Sequence, residues 1–184
     1  MRISGGLWLG RTLKVPPQVR ATTDRVREAL FSILGSTEAK SVLDLYAGSG
    51  ALGIEALSRG AVQVTFVDLS RTSLLCIQKN LPADSDRDLR FHRQDAIEFL
   101  KRAPHSYDWI FCDPPYGQVD YSLLLWAFSQ SRVMSEGSLL ILETDRHQTF
   151  QFPIGLELDD QRRFGDTLIH FLRRNPTKSN TTES

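Results

Sequence analysis

Asp113-Pro114-Pro115-Tyr116 places an acceptor, a stiff backbone and an aromatic face in four consecutive residues. An exocyclic amine on a nucleobase is a poor nucleophile because its lone pair is delocalised into the ring. Acceptors aimed at both N–H bonds favour the pyramidal amine and stabilise the charge that builds as a methyl group arrives. Asp113 can supply one acceptor. The Pro114 carbonyl can supply the other, since proline keeps its C=O while losing its N–H. Two prolines just past a strand forfeit ladder donors and stiffen the loop, so a purely structural role is strained. Tyr116 offers a face on which an extruded base can stack, with core packing as the ordinary alternative for a lone aromatic residue. Cys112, directly before the tetrapeptide, lies in an apolar run and reads as a small inert hydrophobe, not a nucleophile.

A second constellation surrounds a glycine turn. The stretch from Val42 to Leu57, VLDLYAGSGALGIEAL, reads as a buried strand, a turn at Gly48, Gly50 and Gly53, and a helix. Such a turn lets backbone approach a ligand closely and offers free helix-start N–H groups. The glycines alone would suit a dinucleotide equally well. Asp44 argues otherwise, because a carboxylate beside the turn repels a pyrophosphate but suits the ammonium of a methionyl group. Asp68, 20 residues after Gly48, can accept both hydroxyls of a ribose. Asp95, after the third strand, can accept from an adenine amino group. Each acid also has a local reading: a capping or turn-forming carboxylate for Asp44 and Asp68, and the N-cap of a helix Ala96–Arg102 for Asp95.

Positioning these groups requires alternating strands and helices. Ser41–Leu45, Val64–Asp68, Leu89–Arg93, Trp109–Cys112 and Ser138–Glu143 read as strands with helices between them, which implies a parallel sheet covered on both faces. Leu156–Arg162 and Thr167–Leu172, joined by a Gly165 turn, read as a terminal antiparallel hairpin on the sheet edge. Before the first strand, Val26, Ala29, Leu30, Ile33 and Leu34 recur at helical spacing, with Thr23 as N-cap, Gly35 as stop, and Arg25, Arg27 and Glu28 on the polar side. Residues 1–22, with Gly5, Gly6, Gly10 and Pro16–Pro17, suit a small hairpin-like arm. The domain proper is expected over 23–173. From Arg173 the chain turns polar, and 174–184 reads as a disordered tail.

At 184 residues and 41% hydrophobic, the chain can bury one full core but not two comfortable enzymatic domains. Lysine plus arginine (22) balances aspartate plus glutamate (22), yet residues 1–30 carry an excess of four positive charges. A phosphate backbone should meet that end, through Arg2, Arg11, Lys14 and Arg20; a solvated basic face is the plain alternative. Two cysteines, Cys76 and Cys112, fit neither a disulfide framework nor a zinc site, and His92, His105, His147 and His170 show no ligand spacing, so no metal is expected. No apolar run of membrane length and no basic-then-apolar leader is present, so the expectation is a cytoplasmic protein that engages no membrane.

Taken together, RISGGLWLGRTLKVP near the start, RATTDRVREALFSIL from Arg20 to Leu34, LDLYAGSGALGIEALSRGA and DPPY resemble the RsmD-type 16S ribosomal RNA guanine-N2 methyltransferases, over about Arg2 to Leu172. The resemblance implies a Rossmann-like class I methyltransferase fold with a mostly parallel seven-stranded sheet, and S-adenosylmethionine as donor. It implies as acceptor a guanine of small-subunit ribosomal RNA, naked or in an assembling subunit. By position it puts cofactor binding on Asp44, Gly48, Gly50, Asp68 and Asp95 and catalysis on Asp113, Pro114, Pro115 and Tyr116. It presents the arm to RNA and gives Arg25 and Arg27 a part in shaping the cofactor site. Asp68 stands where such proteins often carry glutamate, and the closing FGDTLIHFL departs from their usual tyrosine-containing ending. The rival readings are amino-methylation of adenine or cytosine in DNA, a nicotinamide-dependent oxidoreductase, which would leave Asp44 and DPPY unexplained, and an inert RNA-binding module of the same fold.

Overall fold

Alternating apolar runs that must be buried on both faces become the inner strands of a mixed sheet in the computed structural model, which describes residues 1–16, 24–82 and 86–175. Among these residues there are seven strands and five α-helices. The chain divides into two compact units, Met1–Ala96 and Ile97–Ser184.

In the first unit, β1 (Ser41–Leu45), β2 (Gln63–Asp68) and β3 (Asp88–Arg93) run parallel in the order β3-β2-β1, with Leu43 opposite Thr65 and Val67 opposite His92. Helix α1 (Asp24–Leu34) precedes β1, α2 (Ala51–Ser58) follows it, and α3 (Arg71–Asn80) joins β2 to β3. All eight residues of α2 are buried, as expected of a helix apolar nearly all round. The Ser70 hydroxyl caps α3 by accepting from Ser73 N at 3.2 Å. Gly35, at φ +75°, ends α1 as its spacing predicts, its N–H donating to the Phe31 carbonyl at 3.2 Å. Thr23, the expected N-cap, lies outside the described residues.

One face of α1 differs from expectation. Arg25 and Glu28 are exposed, but Arg27 is fully buried beside Leu30 and Phe31, whereas Ile33 is 44% exposed. The cause is Glu55, itself fully buried in the middle of α2, whose Oε2 lies 3.1 Å from Arg27 Nε and whose Oε1 lies 2.8 Å from Arg59 Nε. A buried carboxylate needs a cationic partner, and that pairing turns the arginine inward. Arg27 also donates to Asp24 and to the Arg2 carbonyl.

The arm is hairpin-like over residues 1–16, with Arg2 bridged antiparallel to Thr12, a 3-10 turn at Gly6–Trp8, and Ile3 and Leu13 buried. It docks on α2: Ser4 N and Oγ donate to Glu55, Trp8 N donates to Ser58 Oγ at 2.9 Å, and a Cβ on Gly6 would overlap the Ser58 carbonyl. Lys14 exchanges backbone hydrogen bonds with the buried Asn80 amide, at 2.8 and 2.9 Å.

In the second unit the strand order is β4-β5-β7-β6. Strands β4 (Trp109–Cys112) and β5 (Leu139–Asp145) are parallel; β7 (Thr167–Arg174) pairs antiparallel with β5, and β6 (Leu156–Phe164) pairs antiparallel with β7 as the edge. Helix α4 (Ala96–Arg102) leads into β4, and α5 (Tyr121–Gln130) links β4 to β5, capped by Asp120, whose carboxylate accepts from Ser122 N and Leu123 N. The terminal hairpin is therefore as the sequence predicts, but β7 runs past Leu172. Arg173 pairs with Asp159 at 2.8 Å, and Arg174 donates to the carbonyls of Ser129, Ser131 and Met134. These partners hold the end of β7, so that Arg174, expected to open the tail, is strand; residues 176–184 lie outside the described region.

Candidate active site

In the first unit, the chain leaving β1 turns sharply through Tyr46, at φ +57°, then Gly48 at +54° and Gly50 at +77°, before α2 begins. Left-handed backbone is cheap for glycine and strained for tyrosine, and strain of this kind is held only where surrounding structure enforces it. Two acids hold the turn that follows Tyr46. Buried Asp44 accepts the N–H of Gly53 through Oδ2 at 2.9 Å, satisfying one of the free donors in the first turn of α2. Asp68 accepts from Gly48 N at 2.8 Å through Oδ2 and from Ser70 N at 2.7 Å through Oδ1. The local role expected as an alternative is therefore present for both acids. It leaves ligand binding open, since each carboxylate oxygen has two lone pairs.

The glycines also serve packing. A Cβ at Gly53 would run into the Phe66 ring, and one at Gly50 would sit 2.8 Å from Ile77. Asn80 Nδ2 donates to the Ser49 carbonyl at 3.2 Å, so the same amide that holds the arm also steadies the turn. Asp95 stands partly buried directly before α4, which spans Ala96–Arg102 as expected, and the Gln94 N–H beside it donates to the Asp68 carbonyl at 3.3 Å. The donor set, three carboxylates around a glycine turn, suits an ammonium, ribose hydroxyls and an amino group and disfavours a pyrophosphate, so these residues fit S-adenosylmethionine.

In the second unit, β4 is buried throughout and delivers Asp113 and Pro114 at its carboxyl end. Cys112 is 1% exposed, in keeping with the inert role expected of it. Pro115-Tyr116-Gly117-Gln118 closes a tight turn: Gln118 N donates to the Pro115 carbonyl at 3.3 Å, with Gly117 at φ +70°. The second proline carbonyl is thus spent on the turn, and the stiff geometry passes to Asp113 and Pro114.

Tyr116 is half-buried, and its Oη lies 3.1 Å from Glu143 Oε1 on β5 and 3.2 Å from Thr167 Oγ1 on β7. Burial, with the negative charges of Glu143 and Asp113, pushes the phenol up to about 12, so it stays protonated at neutral pH. Tyr121 opens α5 with a buried hydroxyl lacking a hydrogen-bond partner among the described residues, and its ring stacks on Phe150 at 5.6 Å. Burial raises its phenol too, and Asp113, Tyr116 and Glu143 add to the shift. Sequence reading passes over Glu143, Thr167 and Tyr121. The available signal was that Glu143 is an acid at the carboxyl end of a buried strand, the position that also marks Asp44, Asp68 and Asp113.

Arg2, Arg11 and Lys14 are exposed on the arm, and Arg20 lies outside the described residues. Arg27 leaves the basic surface altogether because of Glu55. Among the described residues, no cluster of three or more His, Cys, Asp or Glu side chains could hold a metal, and no helix is long and apolar enough to cross a membrane.

Comparison with known proteins agrees with this architecture. The chain is 42% identical over 119 residues to ribosomal RNA small subunit methyltransferase D of Escherichia coli, a match covering 63% of this chain and 60% of that one. It is 35% identical to the protein of that name from Haemophilus influenzae, covering 83% of each. The solved structure of the Escherichia coli yhhF protein superposes with a TM-score of 0.83 at 32% identity, covering 95% of this chain and 97% of that one. The fold is the Rossmann-like class I methyltransferase fold. Because the model of the family described as conserved hypothetical protein 95 matches residues 1–173, the chain belongs to that family, the RsmD-type methyltransferases.

Proposed function

We propose that this protein transfers a methyl group from S-adenosylmethionine to the exocyclic N2 amine of a guanine in small-subunit (16S) ribosomal RNA, in the cytoplasm, acting on the RNA or on an assembling subunit. The observation that carries the reading is Asp113-Pro114 delivered by a buried strand into a turn stiffened by Pro115 and closed by the Gln118 N–H bond to the Pro115 carbonyl. The names of the relatives support ribosomal RNA as the acceptor.

When bound, S-adenosylmethionine supplies an activated methyl group on a sulfonium. Asp44 takes its ammonium, Asp68 its ribose hydroxyls and Asp95 its adenine amine, while Gly48 and Gly50 let backbone pass close by. Asp113 and the Pro114 carbonyl accept hydrogen bonds from the guanine amine, localising its lone pair and stabilising the charge that develops there. Tyr116 stacks on the base. The S–CH3 bond that breaks would leave neutral S-adenosylhomocysteine, and the proton shed by the methylated, now acidic amine would pass to bulk water past the partly exposed Asp113. The arm, residues 1–22, brings Arg2, Arg11, Lys14 and Arg20 to phosphates, and residues 23–173 form the catalytic domain.

The test is transfer of labelled methyl from S-adenosylmethionine to small-subunit RNA and to partly assembled subunits, with the product nucleoside identified by mass spectrometry. N2-methylguanosine is the expected product. Label in adenine or cytosine would keep the reaction and overturn the acceptor; no transfer to RNA, subunit or DNA would favour the inert-module reading.

A further inference from the structure

We propose that Glu143 and Thr167 are positioning residues for the reaction: they hold the Tyr116 phenol from two neighbouring strands and so fix the plane of the ring on which the acceptor base stacks. The inference rests on the proposed function, which makes Tyr116 that stacking face.

Glu143 Oε1, Thr167 Oγ1 and Tyr116 Oη form a closed triangle with sides of 3.1, 3.2 and 3.4 Å. In the antiparallel pairing Asp145 faces Thr167, and Glu143 points to the same side of β5 as Asp145. Glu143 and Thr167 are therefore diagonal neighbours on one sheet face, within reach of a common partner. An ionised carboxylate only accepts, so the phenol proton goes to Glu143 and the threonine hydroxyl can donate to the phenol oxygen. The burial and charge that keep the phenol protonated at neutral pH keep that donor in place. Tyr116 sits in a turn, where an aromatic ring anchored only at its Cβ could swing about two torsions. Anchoring its far end to the sheet removes that freedom before the base arrives, and misplacement by a fraction of an ångström costs rate more than affinity. Thr167 comes from FGDTLIHFL, the closing segment where this sequence departs from the usual tyrosine-containing ending.

A simple core hydrogen bond would hold the same three residues, so the test separates the two roles. Tyr116→Phe keeps the ring and removes the anchor, Glu143→Gln weakens the anchor, and the double variant closes a cycle. The measurements are kcat and KM for RNA, affinity for S-adenosylhomocysteine by calorimetry, and thermal melting. Positioning predicts that each single change lowers kcat roughly tenfold, leaves KM for RNA and S-adenosylhomocysteine affinity within about twofold, and that Glu143→Gln adds less than about twofold once Tyr116 is Phe. Losses that multiply in the double variant, or that follow melting temperature, overturn the proposal. Should Glu143→Gln fail to fold, Tyr116→Phe and Thr167→Val close the cycle in its place. A wild-type protein that methylates no base amine overturns the proposed function and this inference together. An active wild type with unaffected variants overturns the inference alone.

Discussion

Asp44 and Asp68 are held by backbone N–H groups 9, 20 and 2 residues away, whereas Tyr116 is held by side chains 27 and 51 residues away. The first arrangement is a property of one strand–turn–helix passage and the strand beside it. The second exists only after β5 has paired with both β4 and β7. Acids that satisfy backbone donors are bound to the stability of the turn they frame; a ring held by distant side chains can lose its anchor while the surrounding strands stay paired. Substitutions in the two regions should therefore fail in different ways.

Asp113→Ala should give the largest effect: a fall in kcat of about a hundred- to a thousandfold, the scale of losing a charge-stabilising group aimed at a transition state. Affinity for S-adenosylhomocysteine, measured by calorimetry, should stay within a few-fold. Asp68→Ala should show the reverse pattern, weakening the ligand and also costing about 1–3 kcal/mol of stability as Gly48 and Ser70 lose their acceptor. Loss of ligand binding in Asp113→Ala would erase the distinction between the two regions.

Glu55→Ala tests stability in the first unit without touching any proposed ligand contact. It removes the buried carboxylate from Arg27, leaving the guanidinium with the exposed Asp24 and the Arg2 carbonyl and with an Nη1 that already lacks a partner among the described residues, and it frees Ser4 of the arm. Removing one member of such a pair costs about 3–5 kcal/mol, readable as a lower urea midpoint. An unchanged midpoint would mean that the arm and α1 are held by apolar packing and the Trp8–Ser58 and Lys14–Asn80 hydrogen bonds without the Glu55 pair.

His170 on β7 is the second unit's pH-sensitive counterpart. It is 3% exposed, its Nε2 lies 3.0 Å from Thr144 Oγ1, its Nδ1 lies 2.9 Å from the Gln161 amide nitrogen, and Phe150 and Phe152 pack nearby. Burial pulls it down to about 4 from an ordinary 6.5. Above pH 6.5 it is neutral both folded and unfolded and contributes nothing. Between pH 6.5 and about 4 the unfolded chain takes a proton that the fold refuses, so stability falls with pH, by about 3 kcal/mol at pH 4. Urea melts of the wild type and of His170→Gln across that window should diverge; parallel curves would show that the ring is protonated in the fold.

The same contrast explains what could be read in the sequence. Strand positions follow from apolar runs between turn residues, and the glycine turn with Asp44 and Asp68 is contiguous enough to identify directly. Helix periodicity located α1 but put Arg27 on its polar side, because periodicity treats every arginine as exposed and cannot register a buried glutamate 28 residues further on. Glu143, though an acid near the carboxyl end of a strand, and Thr167 become partners of Tyr116 only through the pairing of β4 with β5 and of β5 with β7. The last strand runs on to Arg174 because Asp159 holds Arg173 and the carbonyls of Ser129, Ser131 and Met134 hold Arg174, partners that a polar run of sequence does not announce.

The smallest predicted effect lies on the arm. Among the described residues Arg11 is tied into the arm only through its backbone, its carbonyl accepting from Ile3 N at 2.9 Å and its N–H donating to Trp8 O at 3.0 Å, and its side chain is exposed. Reversing its charge should therefore leave the arm docked on α2 and act only on whatever meets it from solvent. If that partner is a phosphate backbone, Arg11→Glu should weaken RNA binding several-fold at low salt and reduce the slope of log affinity against log salt by about one unit. S-adenosylhomocysteine affinity and the melting temperature should not move. Weaker binding with the slope unchanged would mean that Arg11 acts through a neighbour instead of a phosphate. No change in either would take the arm out of the RNA interface, and the acceptor would then have to be recognised from the second unit.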